Sequence, residues 1–228
     1  MDPLAGSAWS AATTVAGFAR SSPNAVLMRC AETALGRCTG TRLLDIGCGA
    51  ARNALPLAQL GWDVLGVDLS LPMLDAAVER AGGVRGAGHL QFALAPMECL
   101  PVRDGSVDFV VAHGIWNLAP STATFRRAVA EAARVAKPGA SLFFFTFSRN
   151  TLPPQAQPVA NERFVFTQFS GRPQCFLTEA ELIGELESVG FVAEGPIVEY
   201  NRPLATELIQ STGPVIYEGV FRMGNSSG

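Results

Sequence analysis

The sequence predicts an α/β protein built on a mostly parallel sheet with helices on both faces. Three observations carry that prediction. Short apolar runs alternate with helical patterns from residue 41 onward, which is the order of βαβ units. The first unit passes from strand to helix through two glycines one residue apart, Gly47 and Gly49. Two later runs, 107–112 and 141–147, are apolar almost without a break, as suits strands covered on both sides.

Composition narrows the possibilities. With 228 residues the chain holds one sizeable domain with a small appendage. Charged residues make up 16% and hydrophobic ones 48%, so most of the chain belongs in a packed core. Net charge is −3, Lys137 is the one lysine, and the longest basic cluster is Arg126-Arg127. Nucleic-acid binding through counterion release is not expected, and a small or neutral substrate fits better. The five cysteines are scattered and odd in number, with no metal-type pairing, so no metal site is expected and reduced thiols are. No charged stretch followed by a long apolar core opens the chain, and no run approaches the roughly 20 apolar residues of a membrane span. A cytoplasmic protein without a membrane partner is the expectation.

Taken in order, residues 1–40 read as an N-terminal helical cap of two helices, 7–20 and 24–37, with Ser22 or Asn24 capping near Pro23. Trp9 and Phe18 are candidates to line a lid, against the plainer reading of packing aromatics. Residues 41–228 form the main domain. Strand one is 42–46, its helix 51–60, strand two 62–67 and the next helix 70–81. Ser70 and Pro72 mark that last start. The glycine-rich piece 82–88 reads as a loop and 89–93 as a third strand. Strand four, 107–112, should be central.

Ser121 caps a helix over 122–135, and Lys137-Pro138-Gly139 turns into strand five at 141–147. The four phenylalanines of strand five read as core. An insertion at about 148–177 follows, broken by prolines, with a small strand or hairpin at 164–169. Arg149, Arg163, Phe169 and Arg172 are candidate substrate contacts there. Thr178 and Glu181 form a capping box for a helix that stops at Gly190. Strands at 191–200 and 214–223 come next, and 225–228 reads as a frayed tail.

The chemistry concentrates at the carboxyl ends of the strands. A glycine turn between strand and helix lets a ligand approach bare backbone at a helix N-terminus, where a side chain would block it. Strand two ends in Asp68, about 20 residues past the glycines, where a carboxylate can accept from the two hydroxyls of a ribose. The plainer alternative has Asp45 capping a turn and Asp68 capping the next helix. Strand four runs into Ala112-His113-Gly114, which makes His113 the candidate base, a contact to the ligand, or a structural residue. His89 starts a strand at the opposite edge and reads as structural.

Leu44-Asp45-Ile46-Gly47-Cys48-Gly49, followed by Gly66-Val67-Asp68-Leu69-Ser70, resembles the nucleotide-side motifs of class I S-adenosylmethionine-dependent methyltransferases. Glu98-Cys99-Leu100-Pro101, Ser106-Val107-Asp108-Phe109 and Lys137-Pro138-Gly139 agree with it, and the likeness covers roughly 41–147. The resemblance implies a Rossmann-like, seven-stranded, mostly parallel sheet whose last strand is antiparallel. It implies S-adenosylmethionine as cofactor and transfer of its methyl group to a small-molecule acceptor. It assigns the methionine moiety to Gly47, Cys48 and Gly49, with Asp45 acting through water. The ribose goes to Asp68, and the adenine region to Leu69, Met97 and Glu98; Glu98 has a surface-acid alternative. His113 would stand near the reacting methyl.

Two positions depart from the family pattern. Pro96 stands where relatives have an acid that receives the adenine amine, and Ala51 where many have a third glycine. These departures support an alternative, a methyltransferase-fold binding module without turnover. The stretch 52–64 resembles the thiol and tellurite/selenite branch. A nicotinamide-dependent oxidoreductase would want Gly at position 52, which is Arg.

Overall fold

The computed structural model describes residues 1–82, 89–201 and 213–225. Of the loop predicted at 82–88, Gly82 ends a helix and 83–88 lie outside the described residues, as does the end of the predicted tail, 226–228. A one-turn 3-10 helix, Ala8–Ser10, leads into α1 (Ala12–Arg20) and α2 (Ala25–Leu35). Then follow β1 (Arg42–Ile46), α3 (Ala54–Gln59), β2 (Asp63–Asp68), α4 (Leu71–Gly82), β3 (Leu90–Leu94) and β4 (Val107–His113). The central part continues with α5 (Thr122–Val135) and β5 (Ala136–Phe147). Two short strands, β6 (Val165–Phe166) and β7 (Gln174–Cys175), precede α6 (Glu179–Glu187), β8 (Phe191–Ala193), β9 (Val198–Tyr200) and β10 (Ile216–Met223).

The main sheet runs β3-β2-β1-β4-β5-β10, with β8 and β9 sharing the seventh position along β10. The first five strands pair in parallel, and β10 lies antiparallel to β5, as the resemblance implies. Alternation along each strand divides the core in two. Leu44, Val110, Leu142 and Phe144 face α5, α6 and the insertion, packing with Phe125, Val129, Leu182 and Phe164. Leu43, Phe109 and Phe143 face the other way, toward Leu27 and Ala31 of α2, Leu57 of α3 and Leu74 of α4. Arg126 holds α6 against α5 with two hydrogen bonds to Glu185, at 2.9 and 2.7 Å.

Several predicted boundaries move, each for a local reason. The helix after β1 starts at Ala54 rather than 51, because Ala51 takes a left-handed conformation (φ 57°) in the turn. The strand predicted at 191–200 is split into β8 and β9 at Gly195-Pro196, where proline has no ladder donor. The Lys137-Pro138-Gly139 turn becomes an irregularity inside a longer β5, where the register with β4 shifts and Gly139 takes φ 78°. The hairpin expected at 164–169 shrinks to the pair β6–β7.

The N-terminal region is tied down by backbone partners. Asn24 caps α2, its Oδ1 accepting from Val26 and Leu27 N–H at 2.8 and 2.9 Å. Leu27 and Ala31 of α2 are fully buried, whereas α1 buries no residue completely. Helix α1 is held from outside: Arg80 of α4 donates to the carbonyls of Ala19 and Ser21. Ser70 Oγ donates to the Trp9 carbonyl at 3.2 Å. Among the described residues no helix is long and apolar enough to cross a membrane.

Candidate active site

A cavity of about 720 Å³ opens at the carboxyl edge of β1, β2, β4 and β5. That is the size range of small-molecule sites, and the edge where open α/β sheets take ligands. The turn after β1 forms its base. Gly47 and Gly49 take φ of 72° and 52°, values that L side chains rarely adopt. A Cβ on Gly47 would also stand 2.8 Å from the Ile115 side chain. On Gly49 a Cβ would meet nothing closer than Phe18 at 3.7 Å, so this glycine leaves open space above the backbone.

Asp68 at the tip of β2 is half-buried and locks the turn. Its Oδ2 accepts from Gly49 N–H at 2.9 Å, and its Oδ1 from Ser70 N–H at 2.8 Å. Burial nevertheless raises its pKa above the ordinary carboxylate value. Asp45 lies underneath, 1% exposed, and its Oδ2 has no hydrogen-bond partner among the described residues. Burial pushes its pKa up to about 7; the Arg52 charge works against this and the Asp68 charge with it. A buried carboxyl without a donor is the feature that a cationic or donor-bearing ligand would satisfy.

His113 ends β4 and lies flat on Phe145, with ring centroids 4.2 Å apart and planes 9° from parallel. Arg52 Nη2 approaches Nδ1 at 3.1 Å and Asn24 Nδ2 approaches Nε2 at 3.2 Å. Asn24 is oriented by its cap and also donates to Glu218 at 2.7 Å, so both ring nitrogens face donors. A neutral imidazole accepts at one nitrogen only, and an imidazolium there would point N–H at donors. Burial, then the Arg52 charge, lowers the His113 pKa to about 4. In either tautomer no ring lone pair is left free for the cavity.

The fold thus brings Gly47, Gly49, Asp68, Leu69, Met97, Glu98 and His113 around one cavity. Asp45 is buried and does not line the cavity. Cys48 points away: its side chain is buried against Gly66 in the α2–α3–α4 core, and burial raises its pKa well above the usual thiol value. Its backbone N–H donates to the Val67 carbonyl at 3.0 Å. Trp9 and Phe18 line the cavity, and Phe169 does so from the insertion. Arg149 is spent elsewhere, donating to the carbonyls of Leu152, Pro153, Pro154 and Ala156.

The reading of β5 as pure core needs correction. Phe145 and Phe147 line the cavity, because the end of β5 runs past the helices that cover its middle. Sequence reasoning also missed Asn24, Arg52 and Asn117. The first two lie far from His113 in the chain, and no local pattern marks the contact. Ala51 stands where relatives place glycine, and its φ of 57° supplies the reason. A left-handed conformation costs a non-glycine residue about 1–2 kcal/mol.

Sheet order, glycine turn and strand-two carboxylate match the arrangement that the resemblance implies. The family model described as "Methyltransferase domain" matches residues 44–144. The chain is similar to the demethylmenaquinone methyltransferase of Renibacterium salmoninarum, 34% identical over 53% of this chain and 47% of that one. The chain spans about half the length of the curated relatives it matches. A solved S-adenosylmethionine-dependent methyltransferase of Methanosarcina mazei shares the fold at a TM-score of 0.66, with 23% identity. That likeness covers 82% of this chain and 94% of that one. The [4+2]-cyclase SpnF shares the fold at a TM-score of 0.64 with 20% identity, over 91% and 85% of the two chains.

Proposed function

We propose that the protein transfers the methyl group of S-adenosylmethionine to a small-molecule acceptor. The observation that carries this reading is the positive-φ glycine turn with open space above Gly49, faced by Asp68. The residues suit the cofactor on their own geometry: open space above the Gly49 backbone, and a buried Asp45 oxygen lacking a donor among the described residues. Gly47 and Gly49 would border the methionine moiety, Asp68 would hold the ribose, and Leu69 and Met97 would flank the adenine. Glu98 stands at the same wall, while Cys48 contributes backbone alone. When bound, the cofactor supplies a methyl on a cationic sulfur, already a good leaving group.

The chain then has to align the reactants and keep water out. Trp9 and Phe18 lean on each other edge-on, 6.0 Å between centroids, and cover the cavity from α1 and the turn before it. We assign residues 1–40 this capping role for α1, while α2 serves the core. His113 with Phe145 forms a flat, neutral floor. This is a contact role, since neither ring nitrogen is free to take a proton. Residues 148–177 supply the acceptor side.

One observation favours a second reading, a binding module without turnover. Pro96 offers no acceptor where relatives place an acid. The two readings separate in one assay. Purified protein with S-adenosylmethionine and a panel of phenols, thiols, amines and metalloid oxyanions should release S-adenosylhomocysteine with at least one acceptor. Cofactor binding without release across the panel favours the module.

A further inference from the structure

A buried carboxylate sits in the sheet beside the cavity. Glu218 of β10 is 3% exposed. In register it pairs with Phe145 of β5, which pairs on its other side with His113 of β4. Paired residues on neighbouring strands share a face, so Glu218, Phe145 and His113 form one row across the sheet. Glu218 and His113 are then two strand spacings apart, about 9–10 Å, with Phe145 between them. A buried carboxylate needs donors. Tyr200 Oη donates to its Oε1 at 3.0 Å, and Asn24 Nδ2 to its Oε2 at 2.7 Å.

Asn24 bridges that gap, and its amide cannot turn over. Its Oδ1 accepts from Val26 and Leu27 N–H, and its backbone N–H donates to Asn53 Oδ1 at 3.0 Å. The amide nitrogen therefore faces Glu218 and, at 3.2 Å, His113 Nε2. It carries two hydrogens, enough for one bond to each. Arg52, which lines the cavity, brings Nη2 to 3.1 Å from Nδ1. Both neighbours donate and a neutral ring accepts once, so one of the two contacts sets donor against donor. The partner that is fixed decides which. Asn24 is held by four hydrogen bonds within the fold. Arg52 makes no other hydrogen bond among the described residues, and the open cavity gives its N–H groups other outlets.

We propose that Glu218 is a positioning residue of the cavity: acting through Asn24, it fixes His113 as the Nδ1–H tautomer, with Nε2 the acceptor. The proton of a neutral imidazole goes to whichever nitrogen its partner at the other leaves free to donate. The Glu218 carboxylate only accepts, so it holds one amide hydrogen toward itself and leaves the second for the ring. His113 Nδ1–H and Arg52 then stand side by side as two donors with no acceptor between them. This part of the cavity is built to meet an acceptor atom of a ligand and not to take a proton from one. The inference stands on the polar row alone and goes beyond the methyl-transfer reading.

Nitrogen NMR of protein carrying isotope-labelled histidine tests the assignment, because it shows which ring nitrogen holds the proton. His89→Gln identifies the signals of His113. At neutral pH the wild-type ring should be protonated on Nδ1 and bare on Nε2. Glu218→Leu should leave a mixture of the two tautomers, since the amide then has no acceptor to orient it. Asn24→Asp combined with Glu218→Gln reverses each bond of the row: the aspartate keeps the helix cap with one oxygen and accepts from the glutamine amide and from Nε2 with the other. That variant should move the proton to Nε2. A proton on Nε2 in the wild type, or an Nδ1–H tautomer unchanged in either variant, would overturn the proposal. The wild-type spectrum decides if a variant fails to fold.

Discussion

The two halves of the cavity are made of different material. The half at β1 and β2 is backbone: positive-φ glycines, and one carboxylate that accepts from the Gly49 and Ser70 amides. The half at β4, β5 and the insertion is side chain: three phenylalanines beside Asn117. A backbone-built site demands particular residues at fixed spacing, because only glycine tolerates the geometry. A side-chain-built site can be assembled from any apolar residues that converge from distant segments. The first half should therefore be intolerant of small changes, and the second should trade affinity gradually.

Substitution at the glycines gives the sharpest way to break that contrast. Gly47→Ala combines a positive φ with a Cβ 2.8 Å from Ile115, and should cost about 3 kcal/mol in denaturant unfolding. Gly49→Ala meets strain without a clash and should cost about 1 kcal/mol. Equal costs would mean that the Ile115 contact does not set the shape of the turn.

Asp45 tests the same half through pH. Its folded pKa is raised from 3.8 to about 7, so the folded protein holds a proton that the unfolded chain releases between about pH 4 and 7. This group therefore removes stability as pH rises through that window. Binding that uses the carboxylate must run the other way. Cofactor affinity should rise about tenfold from pH 6 to pH 8 in calorimetry, and Asp45→Asn should flatten the profile. A flat wild-type profile would take Asp45 out of the binding account.

The smallest effect is expected in the other half. Phe169→Ala removes one rim wall and should raise the acceptor KM about threefold to tenfold while leaving S-adenosylhomocysteine affinity unchanged. A comparable loss of cofactor affinity would show that the halves are not separable.

This division also explains what could be read in advance. The βαβ order and the glycine turn facing Asp68 were legible, since periodicity and glycine spacing are local signals, while the antiparallel last strand came from the family resemblance. Met97 and Glu98 came from the family resemblance, and His113 from the end of strand four. The acceptor walls were not legible: Phe145 and Phe147 look like their core neighbours Phe143 and Phe144 until helix coverage is known. Cys48 lies within the motif, yet the turn after β1 directs its side chain into the core. The donors that occupy His113, on Asn24 and Arg52, are 89 and 61 residues away. No spacing rule reaches that far.

The central claim is that the Gly47–Gly49 hollow, held by Asp68, receives an adenosyl group. Titration of S-adenosylmethionine into wild-type protein and Asp68→Ala tests it most directly. The account predicts saturable binding to the wild type, weakened about a hundredfold in the variant by loss of a charged acceptor. Equal affinity for both proteins, or no heat of binding with the wild type, would contradict it.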